Sequence, residues 1–276
     1  MSRPSFPYRL AAVDIDETLV GHDKKISSNN FQAVRHLQSL GCRVVLASGR
    51  RFPNMLRYCH ELELDDFVIA TQGARVAHAR TGEILHQASI EPTVATTLVK
   101  EGLARGFSVI LWLHDRVVAA RHTPLIALYE RLTEDVVLID DLHLLSSEPA
   151  EKITWLIDPP LMPGTAAEMD RRLANQILVT VTENWSLEFS ALTANKRDGV
   201  AALASRLDIP REQVLAFGDG NNDAAMLAWA GMGVAMPHGR PAAHAAANVV
   251  APEGDVESAF ARGVEMISRS LLKSTA

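Results

Sequence analysis

Short runs that are apolar on both faces, each followed by a helical stripe and a polar turn, recur at both ends of the chain. Leu10-Ala11-Ala12-Val13, Arg43-Val44-Val45-Leu46-Ala47 and Phe67-Val68-Ile69-Ala70-Thr71 predict three buried strands. Between the first two, Ser27-Ser28-Asn29 offers N-caps, Phe31, Val34, Leu37 and Leu40 recur at helical spacing, and Gly41 suits the position just past a helix end. A helix is expected over residues 53–60. From Asp198 the same pattern resumes: Val200, Leu203, Ala204 and Leu207 stripe a helix, 213–217 predicts a strand, and 224–230 a helix closed by Gly231. Residues 232–236 and 248–251 predict strands, 241–247 a short helix, and 256–272 a final amphipathic helix. Buried strands separated by helices predict an α/β fold built on a parallel, doubly wound sheet.

The middle of the chain is patterned differently. Residues 76–90 predict a hairpin turning near Thr81-Gly82, 91–105 a helix, and 107–113 with 117–121 a second hairpin around His114-Asp115-Arg116. A helix over 124–133 leads into an ambiguous stretch to Ala150. A strand at 153–157, a turn at Pro159-Pro160, a helix at 165–174 and strands at 179–182 and 186–189 follow. Hairpins with helices between them predict an α+β module inserted into the first domain. Residues 1–83 and 189–276 then form a discontinuous core, and 84–188 the insert. No internal repeat or low-complexity linker is present.

Composition narrows the function classes. With 276 residues, 47% apolar and 22% charged, the chain can build a substantial core and two domains. Its 27 basic and 33 acidic residues leave a formal charge of −6, which argues against general nucleic-acid binding. Anionic small molecules stay open as partners, because a local cluster of Lys, Arg and metal decides that question. Cys42 and Cys59 are too few for a disulfide framework and are expected to be reduced and buried. No apolar run approaches membrane length, and residues 1–9 carry no apolar signal core, so the expected location is the cytoplasm.

Polar clusters fall at equivalent places, each near the carboxyl end of a core strand or the start of the next helix: Asp14 and Asp16, Ser48-Gly49-Arg50, Asn195-Lys196, and Asp219 with Asn222-Asp223. Taken singly, each has an ordinary explanation: a solvated acidic turn, a Ser-Gly turn, a lysine beside a helix start, an acidic N-cap. Taken together they converge, because that rim of a doubly wound sheet gathers its loops into one crevice. Charge removed from water there requires compensation, and a hard cation supplies it.

The chain resembles the haloacid dehalogenase superfamily of phosphatases, in the Cof-type branch that carries a large cap domain. Asp14, Asp16 and Thr18 match the family's Asp-x-Asp-x-Thr motif, and Ser48-Gly49-Arg50 its Ser/Thr turn. Asn195-Lys196 with Gly199-Val200 matches the third motif, and Gly218-Asp219 with Asn222-Asp223 the fourth. The match spans the predicted core and is weaker through the insert. It implies Mg2+-dependent hydrolysis of small phosphorylated metabolites, such as sugar phosphates or a phosphorylated cofactor, with no membrane or nucleic-acid partner. Asp14 is implied as the nucleophile that forms an aspartyl-phosphate, and Asp16 as acid and base. Asp14, the Asp16 carbonyl and Asp219 are implied as metal ligands, with Asp223 a ligand or a neighbour of one. Ser48, Gly49, Lys196 and Asn222 are implied to grip the phosphoryl oxygens, and Arg50 to touch substrate or brace a carboxylate. Two other readings use parts of the same set: a phosphomutase sharing the aspartyl-phosphate, and a non-catalytic phosphate-binding switch.

Two positions depart from the branch. Glu17 stands where Gly is usual, which demands either an ordinary backbone there or strain. Gln72-Gly73-Ala74 replaces Asn-Gly-Ala, keeping the amide but extending its reach. In the insert, implied to act as a lid, Trp112, His114, Trp155 and Asp158 are candidate specificity residues. The tryptophans sit in strand patterns that favour the core, and His114 in a hairpin that favours solvent.

Overall fold

The computed structural model describes residues 6–273, so the first five residues of the segment read as lacking a signal core lie outside it. The chain opens with β1 (Leu10–Val13), α1 (Ser28–Ser39), β2 (Arg43–Leu46), α2 (Phe52–Glu61), β3 (Phe67–Ala70), β4 (Arg75–His78) and β5 (Ile84–Gln87). Then come α3 (Pro92–Ala104), β6 (Ser108–Trp112), β7 (Val117–Ala119), α4 (Pro124–Thr133), β8 (Val137–Ile139) and α5 (Leu142–Leu145). They are followed by β9 (Lys152–Leu156), α6 (Met162–Leu173), β10 (Leu178–Glu183) and β11 (Ser186–Ser190). The last stretch holds α7 (Lys196–Arg206), β12 (Val214–Gly218), α8 (Ala224–Trp229), β13 (Met232–Ala235), α9 (Pro241–Ala246), β14 (Val249–Val250) and α10 (Ala259–Lys273). No helix among the described residues is long and apolar enough to cross a membrane.

The chain forms two compact units, one running to His86 and resuming at Asn195, the other spanning Gln87–Ala194. Both divisions fall later than the change of pattern at 83/84 and 188/189. The reason at the second is that β11 pairs with β9 along its whole length and belongs to the inserted sheet.

In the first unit five parallel strands run in the order β14-β13-β12-β1-β2. β1 is buried from end to end, which is why it reads as continuously apolar rather than alternating. Its alternate residues face two cores. Ala11 and Val13 pack with Val34, Leu37, Phe260 and Val264 from α1 and α10. Leu10 and Ala12 pack with Val200, Leu203 and Leu227 from α7 and α8. Each of the Val, Leu and Phe side chains among these contributes about 1.5–3 kcal/mol by its burial. The helix ends follow the capping signals: Ser27 Oγ accepts from the Asn30 amide, and Gly41 takes φ 81° just past α1. Beyond β2 the described residues carry the sheet on through a bridge between Ala47 and Ile69, and β3 then pairs antiparallel with β4 in a separate sheet ordered β3-β4-β5.

Register sets the site. Val13 lies opposite Phe217 on one side and Leu46 on the other. Asp14, the Ser48 turn and Asp219 therefore leave the same rim of the sheet.

The inserted unit is a six-stranded sheet ordered β10-β11-β9-β6-β7-β8, antiparallel except for β7–β8. Trp155 lies in its main core, giving its Nε1 hydrogen to Leu98 O at 3.2 Å and meeting Phe189 edge-on at 4.8 Å. Trp112 lies in the smaller core on the sheet's other face, beneath α4, with the Lys152 ammonium 3.5 Å from its ring centroid. His114 and Asp158 are exposed. The stretch before Ala150, ambiguous in sequence, holds β8 and α5. β8 is three residues long with Leu138 and Ile139 exposed, so no alternation announces it.

Candidate active site

At the carboxyl end of β1, Asp14 is buried and its amide donates to Phe217 O at 3.0 Å. Lys196, the first residue of α7, reaches it: the ammonium lies 2.5 Å from Asp14 Oδ1 and 2.6 Å from Asp223 Oδ1. A cation at a helix N-terminus opposes the helix dipole, so this placement needs compensation, and the two carboxylates provide it. α7 is seated closely to achieve this. A Cβ on Gly73 would come within 2.1 Å of Asn195 O, and one on Gly199 within 2.6 Å of Ile69. The Asn195 side chain caps the helix by accepting from the Asp198 amide.

Asp223 folds back over its own loop. Its second oxygen accepts from the amides of Asp219 and Gly220 at 3.1 and 2.9 Å, and a Cβ on Gly218 would lie 2.5 Å from its side chain. Asp219 accepts from the Thr18 hydroxyl at 3.0 Å. One oxygen from each of Asp14, Asp219 and Asp223 lies within 4.8 Å of the others. Three buried or nearly buried carboxylates thus face one ammonium.

That surplus of negative charge shows in the ionisation of the group. Burial, with Asp223 and Asp219 adding to it against Lys196, holds the Asp14 carboxyl well above the usual carboxylate range. Burial and then Asp223 push Asp219 up to about 6. For Lys196, burial acts downward, but Asp14 and Asp223 outweigh it and hold the ammonium above the ordinary lysine range. A divalent cation among these oxygens relieves the imbalance, so the donor set fits a hard metal ion. Asp14 Oδ2 has no hydrogen-bond partner among the described residues.

The remaining residues ring this cluster. Asp16 is half-exposed, and both its oxygens are taken by Arg50, Nε at 2.9 Å and a terminal nitrogen at 2.6 Å. Arg50 also lies over the Tyr58 ring, 5.5 Å from its centroid. Of the two roles implied for Arg50, bracing a carboxylate is the one the geometry displays. Ser48 is buried, its Oγ accepting from the Arg50 amide at 3.2 Å. Asn222 donates to Gln72 Oε1 at 3.0 Å.

Both departures from the family pattern have left-handed backbones, Glu17 at φ 57° and Gln72 at φ 58°. Sequence reasoning did not single out His238, which donates from Nε2 to the Glu17 carbonyl at 2.6 Å and holds that turn. The signal available was a lone histidine after Met236-Pro237, far from the first motif in the chain.

Comparison with known proteins agrees with this geometry. A family model described as haloacid dehalogenase-like hydrolase matches residues 11–262. An HMP-PP phosphatase from Enterobacter sp. (strain 638) is 25% identical over 233 residues, covering 84% of this chain and 85% of its own. The Bacillus subtilis protein YxeH is 29% identical over 253 residues, covering 87% and 92%. The crystal structure of a haloacid dehalogenase-like hydrolase from Bacteroides thetaiotaomicron superposes with a TM-score of 0.83 at 26% identity, over 94% of this chain and 99% of that one. The chain belongs to the haloacid dehalogenase-like hydrolase family, and it is an enzyme of the phosphatase class.

Proposed function

We propose that this enzyme hydrolyses phosphate monoesters of small metabolites, with Mg2+ as cofactor and Asp14 as the nucleophile. The observation that carries the reading is the buried Lys196 ammonium, which holds one Asp14 oxygen and leaves the other without a protein partner. Asp14, Asp219 and the Asp16 carbonyl would hold the metal, with Asp223 beside it. Bound there, the cation neutralises charge on the phosphoryl oxygens and screens the carboxylates from the incoming anion.

Phosphoryl transfer asks mainly for alignment and neutralisation. Asp14 Oδ2 attacks phosphorus and the ester oxygen leaves, which forms an aspartyl-phosphate and splits hydrolysis into two displacements. Asp16 enters the first step protonated, gives that proton to the leaving oxygen, and is restored to the acid by taking one from the water that attacks the aspartyl-phosphate. Arg50 fixes the Asp16 carboxylate in position, and release of one oxygen from that grip frees it for proton transfer. Ser48, the Gly49 amide, Lys196 and Asn222 donate to the equatorial oxygens, where charge builds up. Lys196 serves both steps, because its charge stays fixed while Asp14 changes from carboxylate to acyl phosphate.

The name of the Enterobacter relative, HMP-PP phosphatase, supports a small phosphorylated substrate. The test is a panel of phosphorylated metabolites assayed for free phosphate, with Mg2+ and after chelation. Phosphate release matched by free alcohol, lost on chelation and restored by Mg2+, is the expected result. An isomeric phosphate as product, or full activity without a divalent ion, overturns the reading.

A further inference from the structure

The turn after β3 carries more of the site than its place in the sequence suggests. Thr71 and Gln72 both have left-handed backbones, at φ 50° and 58°, a strained arrangement for side-chain-bearing residues. Backbone bonds fasten this turn to the Ser48-Gly49-Arg50 loop, with the Gln72 amide on Ser48 O at 3.0 Å and the Thr71 amide on Arg50 O at 2.9 Å. The next residue, Gly73, is the close seat of Asn195 and hence of the helix that presents Lys196.

The Gln72 side chain lies between two phosphate-gripping loops. Its Oε1 accepts from Asn222, so the carboxamide nitrogen must be the end that faces the other way. That nitrogen stands over Gly49, 2.6 Å from where a Cβ would be, so a larger residue at 49 would have to push the carboxamide aside. Among the described residues nothing accepts its two hydrogens.

We infer that Gln72 is a phosphoryl-binding residue, whose Nε2 donates to an oxygen of the bound group beside the Ser48-Gly49 turn. The inference rests on the phosphatase reading and adds a donor to it. A half-buried amide held in strained backbone, with its acceptor end satisfied and its donor end free over an anion-gripping turn, is prepared for an anionic oxygen. The same carboxamide couples the Ser48 loop to Asn222, so a bound phosphoryl group would tighten both.

The test compares Gln72→Ala and Gln72→Glu with the wild type, using inorganic phosphate as the probe in calorimetry with Mg2+ present, alongside kcat and KM. Glutamate is isosteric and keeps the oxygen that Asn222 needs, but it replaces the donor with a negative charge. Neither substitution changes the demand for a left-handed backbone. Loss of a hydrogen bond to a charged partner corresponds to about tenfold or more in affinity. The expected order of phosphate affinity is wild type, then Gln72→Ala about tenfold weaker, then Gln72→Glu weaker still. A purely structural link to Asn222 reverses the last two, leaving Gln72→Glu near wild type, and that order overturns the inference. If Gln72→Ala fails to fold, the isosteric Glu variant decides alone. Wild-type binding and hydrolysis that Gln72→Glu leaves intact sinks this role only, whereas a wild type that neither binds phosphate nor hydrolyses any ester sinks the phosphatase reading with it.

Discussion

Arg50 holds Asp16 by a two-point grip, Nε on Oδ2 and a terminal nitrogen on Oδ1, and its own guanidinium rests over the buried Tyr58 ring. The planar fork matches the carboxylate geometry, which an ammonium cannot do. Arg50→Lys keeps the charge but loses the second bond, so Asp16 is free to rotate out of the position its proposed acid role requires. Misplacement on this scale lowers kcat by about tenfold to a hundredfold. Because Asp16 is half-exposed, stability should change by less than about 1 kcal/mol. Steady-state kinetics beside thermal unfolding check this, and a Lys variant with wild-type kcat shows that the grip is dispensable.

Lys196 is held differently, with no exposure on its side chain and two carboxylates to neutralise. Lys196→Met leaves Asp14 and Asp223 facing Asp219 with no cation. Breaking a buried pair from one side costs about 3–5 kcal/mol. Adding Asp14→Asn removes one of the stranded charges and should recover part of that loss, with neither variant expected to turn over substrate. Denaturant titration of the two single variants and the double variant checks the coupling; simple additivity contradicts the pairing.

Most of this arrangement was legible in the sequence, for physical reasons. β1 is buried on both faces, so its apolar run and the acids at its end stood out. Lys196 stood out as a cation at a helix start, and Gly218 and Gly73 mark close approaches where a Cβ does not fit. What was not legible depends on side-chain direction or tertiary contact. Nothing local shows that Arg50 points to Asp16 or that His238 reaches the Glu17 carbonyl across the sheet. Likewise β8 is too short and too exposed to show a period. Glu17 was visible as a departure, but its left-handed backbone follows from the turn between Asp16 and Thr18 and not from the residue itself.

Asp219 makes the effect of metal on stability depend on pH. Its carboxyl is raised from 3.8 to about 6 in the fold, by burial first and Asp223 next. A carboxyl raised on folding contributes stability below its unfolded value, and that contribution is lost as pH rises through about 6. The metal-free protein should therefore give up stability across this window. A divalent cation pairs with the ionised form and opposes the loss. Mg2+ should raise the unfolding midpoint more at pH 7.5 than at pH 5; an equal rise at both means that Asp219 is not a ligand.

Cys42, between α1 and β2, and Cys59, on the buried face of α2, both lie in the core, and burial pushes both thiols up from 9.0 to about 12. Without a thiolate neither is nucleophilic, so the native protein should resist a disulfide reagent at pH 8 while unfolded protein reacts at both residues. The raised values also contribute stability below pH 9 that is lost as pH rises through about 12. Rapid native-state labelling at pH 8 contradicts the burial of these side chains.

Glu17 sits at φ 57° with its side chain half-exposed, near His22 at 3.9 Å, and its charge helps to raise Asp219. A left-handed backbone disfavours a side-chain-bearing residue by roughly 1–2 kcal/mol. Glycine removes that strain but loses roughly 0.5–1 kcal/mol through its freer unfolded chain. Glu17→Gln removes only the charge, whereas Glu17→Gly removes both charge and strain, and neither touches the carbonyl that accepts from His238. The glycine variant should therefore be the more stable of the two, by about 0.5–1 kcal/mol after that offset. Equal midpoints in denaturant show a strain no larger than the glycine's own cost of roughly 0.5–1 kcal/mol, and a glycine variant less stable by that amount shows that the turn carries no strain.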